Sequence, residues 1–494
     1  MVALLTSPVH AKEEGEAYWS SIPYLDTVTT PGLSVEIPTS TTLYLTLKEC
    51  VRIALESNFN LINARRDLDI QDSFERETKA FFIPFVELIG TLGYGKDRTR
   101  GAALERIETN NDRQEGRIVL GQNLPTGGRV GVFTGVERVF RDTQPSIYST
   151  EVGATLSQPL LRSGGFAVGL ASLRNEELNT LNEHISLGID ERDLALNVLR
   201  RYFNILQAKL EIKVSRDALA EKERFLEETQ MKFELDEVAE SEVSRAEIQF
   251  LQERERYNRN LQSYSDRIED LLILMGLPLM TELEIEDMTD SLIAMDLVNL
   301  PSVDEYIRES QVLRPELRQR DIAIQKSKIT LQLSRNTLLP SLDFNAETRS
   351  YQSDPYFEET RNLDMNTWSA DITLSIPLPN IARREAYRRA LINHEKLQTS
   401  RKAAERDIER EVKGAYRSIK TNEANIAILL KTVEQARKSL DQEKARFEFG
   451  LNTSVDVRLA QDDLFEAQSR YYTAIINHQI LIAELYRSIG RPVY

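Results

Sequence analysis

One order of elements is written twice in this chain of 494 residues, and that duplication constrains the fold more than any other feature. From Thr46 to Ile83 the apolar residues Leu47, Val51, Leu55, Leu61, Leu68 and Phe81 recur at helical spacing. They predict a helix of about 38 residues that stops at Pro84. A proline-free tract from Gly169 to Leu235 follows, then one from Glu240 to Met275 that leaves through Gly276-Leu277-Pro278. The order then recurs. Ser302 to Leu339 ends at Pro340, Ile381 to Phe449 is proline-free, and Ser454 to Ile489 leaves through Gly490-Arg491-Pro492. Late in each copy residues match at one offset: Tyr202 with Tyr416, Phe233-Glu234 with Phe447-Glu448, Val243 with Val457, Ala246 with Ala460, Gly276 with Gly490. The sequence therefore divides into an N-terminal extension (1–43), a first repeat (44–278), a linker (279–301) and a second repeat (302–494).

Length separates these helices from ordinary ones, which average about 12 residues. At a rise of 1.5 Å per residue the long tracts span roughly 100 Å and the short ones roughly 55 Å. Two short helices end to end therefore match one long one, which predicts a coiled coil or a helical barrel.

Between the first short helix and the long helix, each repeat changes period from helical to two. Leu342, Phe344, Ala346 and Thr348 alternate with Asp343, Asn345, Glu347 and Arg349. Trp368, Ala370, Ile372, Leu374 and Ile376 alternate with Ser369, Asp371, Thr373 and Ser375. In the first repeat Val86, Leu88, Leu92 and Tyr94, then Val152, Ala154 and Leu156, form the apolar set. The helix–strand junctions fall at Pro84 and Pro159, and at Pro340 and Pro377. Strands with one apolar face and one charged face fit the wall of a transmembrane barrel, which must close because an open edge cannot sit in lipid. Four strands cannot close a wide barrel, so several chains must contribute. The first repeat also holds a surplus hairpin (117–140) around Pro125-Thr126-Gly127-Gly128, and two placements are open for it: two more barrel strands, or a flap over the mouth.

Composition excludes more than it assigns. No run of 18 apolar residues exists, so no helix is expected to span a membrane. A net charge of −16 argues against nucleic acid as a partner. Cys50 is the one cysteine, so no disulfide framework and no cysteine-based zinc site is expected, and His10, His184, His394 and His478 lack metal spacing. No cofactor, metal or catalytic residue is expected. Gly90 to Lys96 resembles part of a phosphate loop, but Asp97 replaces the hydroxyl residue and no helix follows. Val9-His10-Ala11 has the small-residue spacing of a signal cleavage site without a basic region before it, and reads either as a frayed terminus or as the remnant of a signal peptide.

With these elements in place the chain resembles the TolC-like outer-membrane efflux proteins over about residues 44 to 494. The most specific stretch is Arg446-Phe447-Glu448-Phe449-Gly450-Leu451-Asn452-Thr453-Ser454-Val455-Asp456-Val457. The resemblance implies a homotrimer: a β-barrel of four strands per chain, or six with the surplus hairpin, in the outer membrane lipid, and an α-barrel of long antiparallel helices in the periplasm. It implies a passive exit duct for an inner-membrane pump, reached through a periplasmic adaptor, in tripartite efflux or type I secretion. It further implies a pore entrance ringed by acids at the helix tips, carried here by Asp456 and, in repeat one, Glu242, with Asp236, Glu237 and Glu240 adding charge. Gly450, Leu451, Asn452 and Thr453 would form the tip turn and meet the adaptor. Two departures stand out: Asp236 occupies the first tip where glycine is expected, and Asn452 replaces an arginine that helps latch the closed tip in relatives. From the residues alone the same acids read as solvated helix caps. A rival reading of the whole chain is a soluble coiled-coil scaffold without channel activity.

Overall fold

The computed structural model describes residues 43–100, 106–142, 144–286, 300–449 and 451–493. The extension (1–43), apart from its last residue, much of the linker, and Gly450 lie outside the described residues. None of the described helices is long and apolar enough to cross a membrane.

The chain opens with β1 (Leu43–Leu45), α1 (Leu47–Ser57) and α2 (Phe59–Ala80). Four strands follow: β2 (Phe85–Arg100), β3 (Arg106–Asn123), β4 (Arg129–Arg141) and β5 (Gln144–Pro159). A short α3 (Phe166–Gly169) leads into the long α4 (Ala171–Glu234), and α5 (Glu240–Met275) returns. After β6 (Leu283–Ile285) come α6 (Val303–Leu313), α7 (Pro315–Asn336), β7 (Ser341–Asp354) and β8 (Met365–Ser375). The chain ends with a second long helix, α8 (Ile381–Glu448), and α9 (Ser454–Ile489). In each half the shorter helices pack along the long one, and α9 also packs on α4, joining the halves.

The expected helix of about 38 residues is two helices in both halves. At the first break Asn58 is extended (φ −64°, ψ 123°), and its side chain does two jobs. Oδ1 accepts from Leu61 N at 3.0 Å, capping α2, while Nδ2 donates to Leu274 O at 2.8 Å, tying the break to the end of α5. At the second break Arg314 is extended because Pro315 follows it, and Pro315 starts α7 where its missing N–H costs nothing. The Arg314 guanidinium is buried, bonded to Glu411 Oε2 at 2.6 Å and Arg487 O at 3.2 Å. Each break is also a packing seat. Gly276 (φ 72°) ends α5 against Ser57 O, and Gly490 (φ 94°) ends α9 against Leu313 O. A Cβ at these glycines would lie 2.2 Å and 2.8 Å from those oxygens, so both require glycine twice over, for conformation and for space.

The main core lies around these seats. Cys50, Val51 and Ala54 of α1 meet Val198, Tyr202, Ile205 and Leu206 of α4 and Leu271, Leu272 and Met275 of α5. Burial pushes the Cys50 thiol up to about 12. The second half repeats the arrangement with Tyr306, Leu317, Val412, Ile419, Leu485 and Ile489. Parallel pairing of β1 with β6 closes the first core.

The other strands form one antiparallel sheet in the order β2-β3-β4-β5-β7-β8. The surplus hairpin is therefore inside the sheet, as β3 and β4, and not a flap across it. Its turn lies at the helix end: Gly165 N donates to Thr126 O at 2.9 Å, and a Cβ on Gly169 would meet Pro125 O at 2.2 Å.

Candidate functional site

Two regions have the chemistry for a function, the two-faced sheet and the helix tips. Directly paired residues of an antiparallel sheet share a face, so the register fixes which residues stand together. Val86, Leu120, Val132, Ala154, Thr348 and Trp368 form one row, and Leu88, Ile118, Thr134 and Val152 begin the next. This face is apolar and bare: Leu92 is 85% and Trp368 80% exposed, and Leu88, Ile372 and Leu374 are also exposed. An apolar surface of this breadth needs a cover other than water.

The opposite face carries the charges. Ile89, Arg117, Gly135, Glu151 and Tyr351 form a row, with Glu87, Val119, Phe133, Gly153 and Arg349 beside it. Glu151 is shared by Arg117 and by Arg349, the latter at 3.4 Å. Arg113 pairs with Glu115 at 3.2 Å and Glu137 at 2.5 Å. The glycines of this face make room for rings. Phe133 lies over Gly153, where a Cβ would sit 2.5 Å from its ring, and Phe85 lies over Gly121 in the same way. Arginines cover the rings in turn, Arg117 at 4.5 Å from the Phe133 centroid and Arg129 at 4.7 Å from that of Phe85. Charge and aromatic area thus alternate on a wettable wall. Pro84 and Pro340 stand immediately before β2 and β7, Pro159 ends β5, and Pro377 follows β8.

At the far end of the helices the two hairpin tips meet. The Phe225 and Phe447 rings are 5.9 Å apart, Lys232 Nζ lies 4.4 Å from the Phe447 centroid, and Lys444 pairs with Glu221. Deeper, Lys222 of α4 is buried and donates to Gln461 Oε1 at 3.0 Å and Asp462 Oδ1 at 3.2 Å on α9. Burial pushes the Lys222 ammonium down, and Asp462 opposes that shift.

The tip acids differ in how they are held. Asp456 accepts from Thr453 N at 2.9 Å and Thr453 Oγ1 at 2.7 Å, a capping box that starts α9. Those bonds hold its carboxyl below the usual carboxylate range. Glu240 and Glu242 lie in the first turn of α5, where the helix dipole favours negative charge, and Glu242 also pairs with Arg245 at 2.7 Å. Asp236 takes the left-handed conformation (φ 60°), with Glu237 N donating to Lys232 O at 2.9 Å. Leu451 N makes the equivalent bond to Arg446 O at 2.9 Å in the second tip. Asn452 donates to Glu443 O at 3.0 Å and Glu443 Oε2 at 2.6 Å, so it fastens the turn to its own helix. Sequence reasoning missed Lys222 and Gln461, whose pairing across 239 positions leaves no local signal.

Residues 306–491 match the family of outer membrane efflux proteins. Outer membrane protein TolC of Escherichia coli (strain K12) is 24% identical over 335 residues. That match covers 62% of this chain and 63% of TolC, so the chain spans just under two thirds of that relative's length. Among solved structures, VceC from Vibrio cholerae superposes with a TM-score of 0.68 at 12% identity, over 91% of this chain and 97% of VceC. The Campylobacter jejuni CmeC outer membrane channel superposes with a TM-score of 0.66 at 13% identity, over 90% of this chain and 85% of CmeC. Both are likenesses of fold.

Proposed function

We propose that this TolC-like outer-membrane protein, with its helical periplasmic extension, is a passive exit duct that works as a homotrimer. Three copies, each built from two tandem repeats, join their sheets into a barrel in the lipid and their long helices into a periplasmic tube. The single observation that carries this reading is the sheet. One face is bare and apolar while the other carries ion pairs, which fits a wall between lipid and a wet lumen. A soluble scaffold has no use for that bare face. No chemical step is assigned to the chain.

The entrance lies at the tips, where Asp456, Glu242, Asp236 and Glu240 would each become a ring of three charges about the trimer axis. Such rings favour cations over anions. Opening separates the hairpins of the two halves, which requires loss of the Lys222–Gln461 bond, the Lys444–Glu221 pair and the Phe225–Phe447 contact. A periplasmic adaptor engaging the turn at Gly450, Leu451, Asn452 and Thr453 supplies the energy, and an inner-membrane pump supplies the cargo.

The test is reconstitution. Protein extracted from outer membranes in detergent is expected to run as a trimer and to conduct ions in planar bilayers. Protein that stays monomeric and soluble without detergent would overturn the reading.

A further inference from the structure

We infer that the hairpin β3–β4 is a full part of the barrel wall, and that the open edges of β2 and β8 are docking surfaces for a second copy of this chain. The number of copies rests on the duct reading above. The placement of the hairpin and the pairing of the edges rest on the sheet itself.

The ladder is the first observation. β2 pairs with β3 along its whole length, from Phe85↔Gly121 to Arg100↔Arg106, and β4 pairs with β5 from Arg129↔Ser157 to Val139↔Ile147. A hairpin folded away from the wall would break both of these ladders and leave β2 and β5 to pair with each other, a pairing the sheet does not have.

The faces are the second. Ile118, Leu120 and Val132 of the hairpin continue the bare apolar face, while Arg117 on the other side pairs with Glu151 of β5. The third is the turn: Thr126 O accepts from Gly165 N, so the hairpin's turn is held at the helix end of the sheet, away from the far mouth.

The edges follow from parity. Every neighbouring pair in the sheet is antiparallel and the strands number six, so β2 and β8 run in opposite directions. That direction lets β8 of one copy pair antiparallel with β2 of the next. Leu88 and Leu92 on one edge, and Trp368 and Ile372 on the other, then join into an unbroken apolar belt. Neither edge can remain open in lipid. Three copies close a barrel of eighteen strands, as three sheets of six. With the hairpin outside, the wall would hold twelve. Since diameter grows roughly linearly with strand number, the bore is about 1.5-fold wider than that alternative.

Cryo-electron microscopy of the trimer in lipid nanodiscs tests the closure. Eighteen strands with β8 against the neighbouring β2 are expected. Twelve strands, with the hairpin outside the wall, would overturn the inference and leave the duct reading standing. A preparation that is monomeric and needs no detergent would remove the duct reading and the closure together. Labelled single cysteines give a second readout. A fluorophore on Val132→Cys is expected to be quenched by brominated lipid tails, and one on Glu137→Cys by an aqueous quencher. Failure of lipid to quench the Val132→Cys label would place the hairpin outside the wall and overturn the inference.

Discussion

Lys222 and Gln461 belong to different halves of the chain, both are buried, and the Lys222 ammonium donates to the Gln461 side-chain carbonyl at 3.0 Å. The bond therefore ties one helical hairpin to the other close to the tips. Lys222→Met leaves the Gln461 oxygen buried without a donor, which costs about 1–3 kcal/mol. More frequent opening in planar bilayers is expected. Pairing it with Gln461→Leu removes the stranded oxygen, and the double variant should open less often than Lys222→Met alone. Unchanged opening in Lys222→Met would show that this bond does not hold the tips closed.

Asp456 combines two roles that can be separated. It caps α9 through Thr453, and it would stand in the pore ring. Thr453→Ala weakens the cap by about 1 kcal/mol without changing charge. Asp456→Asn changes both. Both variants should fray the start of α9, seen as faster hydrogen exchange there. Only Asp456→Asn should shift the reversal potential in asymmetric salt toward lower cation selectivity. Equal reversal potentials in all three proteins would remove Asp456 from the entrance.

Asp236 holds a left-handed backbone at φ 60°. That conformation costs a non-glycine residue about 1–2 kcal/mol. Asp236→Gly should therefore raise the stability of the first tip by about 1 kcal/mol while removing one charge per chain. Slower proteolysis at the tip would show the gain, and cation selectivity should fall slightly. Faster cleavage would mean that the aspartate side chain itself supports the turn.

His478 gives the helical region a pH dependence. It is 4% exposed on α9, and neither ring nitrogen has a hydrogen-bond partner. Burial pushes its pKa below the ordinary value, with Glu423 opposing that shift and Lys420 adding to it. The unfolded chain takes up a proton near pH 6.5 while the folded chain resists it, so stability is full above that pH and declines as the pH falls below it. The melting temperature at pH 5.5 should lie below that at pH 7.5, and His478→Leu should narrow the gap. An equal gap in both proteins would assign the loss to other groups.

Much of this arrangement is legible in the residues because periodic patterns report faces. Period two in Leu342 to Thr348 marks a strand with an apolar side, and Gly276 and Gly490 mark helix ends. What escapes is conformation set by a single residue within a periodic run. Asn58 breaks a helix without disturbing its apolar spacing, because its own side chain caps the next segment. Pro315 carries a visible signal for the second break, since a proline inside a helix removes a hydrogen bond and pushes the residue before it out of helical conformation, but the apolar spacing runs on across it. The apolar alternation of Ile118 to Phe140 is equally clear, but alternation says nothing about neighbours. Only pairing with β2 and β5 gives the hairpin its place. The proposed acid ring is harder still, since an axis relating three chains would leave no trace in one.

The surplus hairpin also sets how a wall of this kind can change size. One added strand would reverse the direction of every strand after it and bring two parallel edges together at the seam. A two-stranded addition leaves both edges as they were. Its turn rests on the glycines before α4, where Gly165 N donates to Thr126 O and Gly169 leaves room for Pro125 O. Under the duct reading, bore would therefore grow in fixed increments of two strands per chain without any change in the long helices.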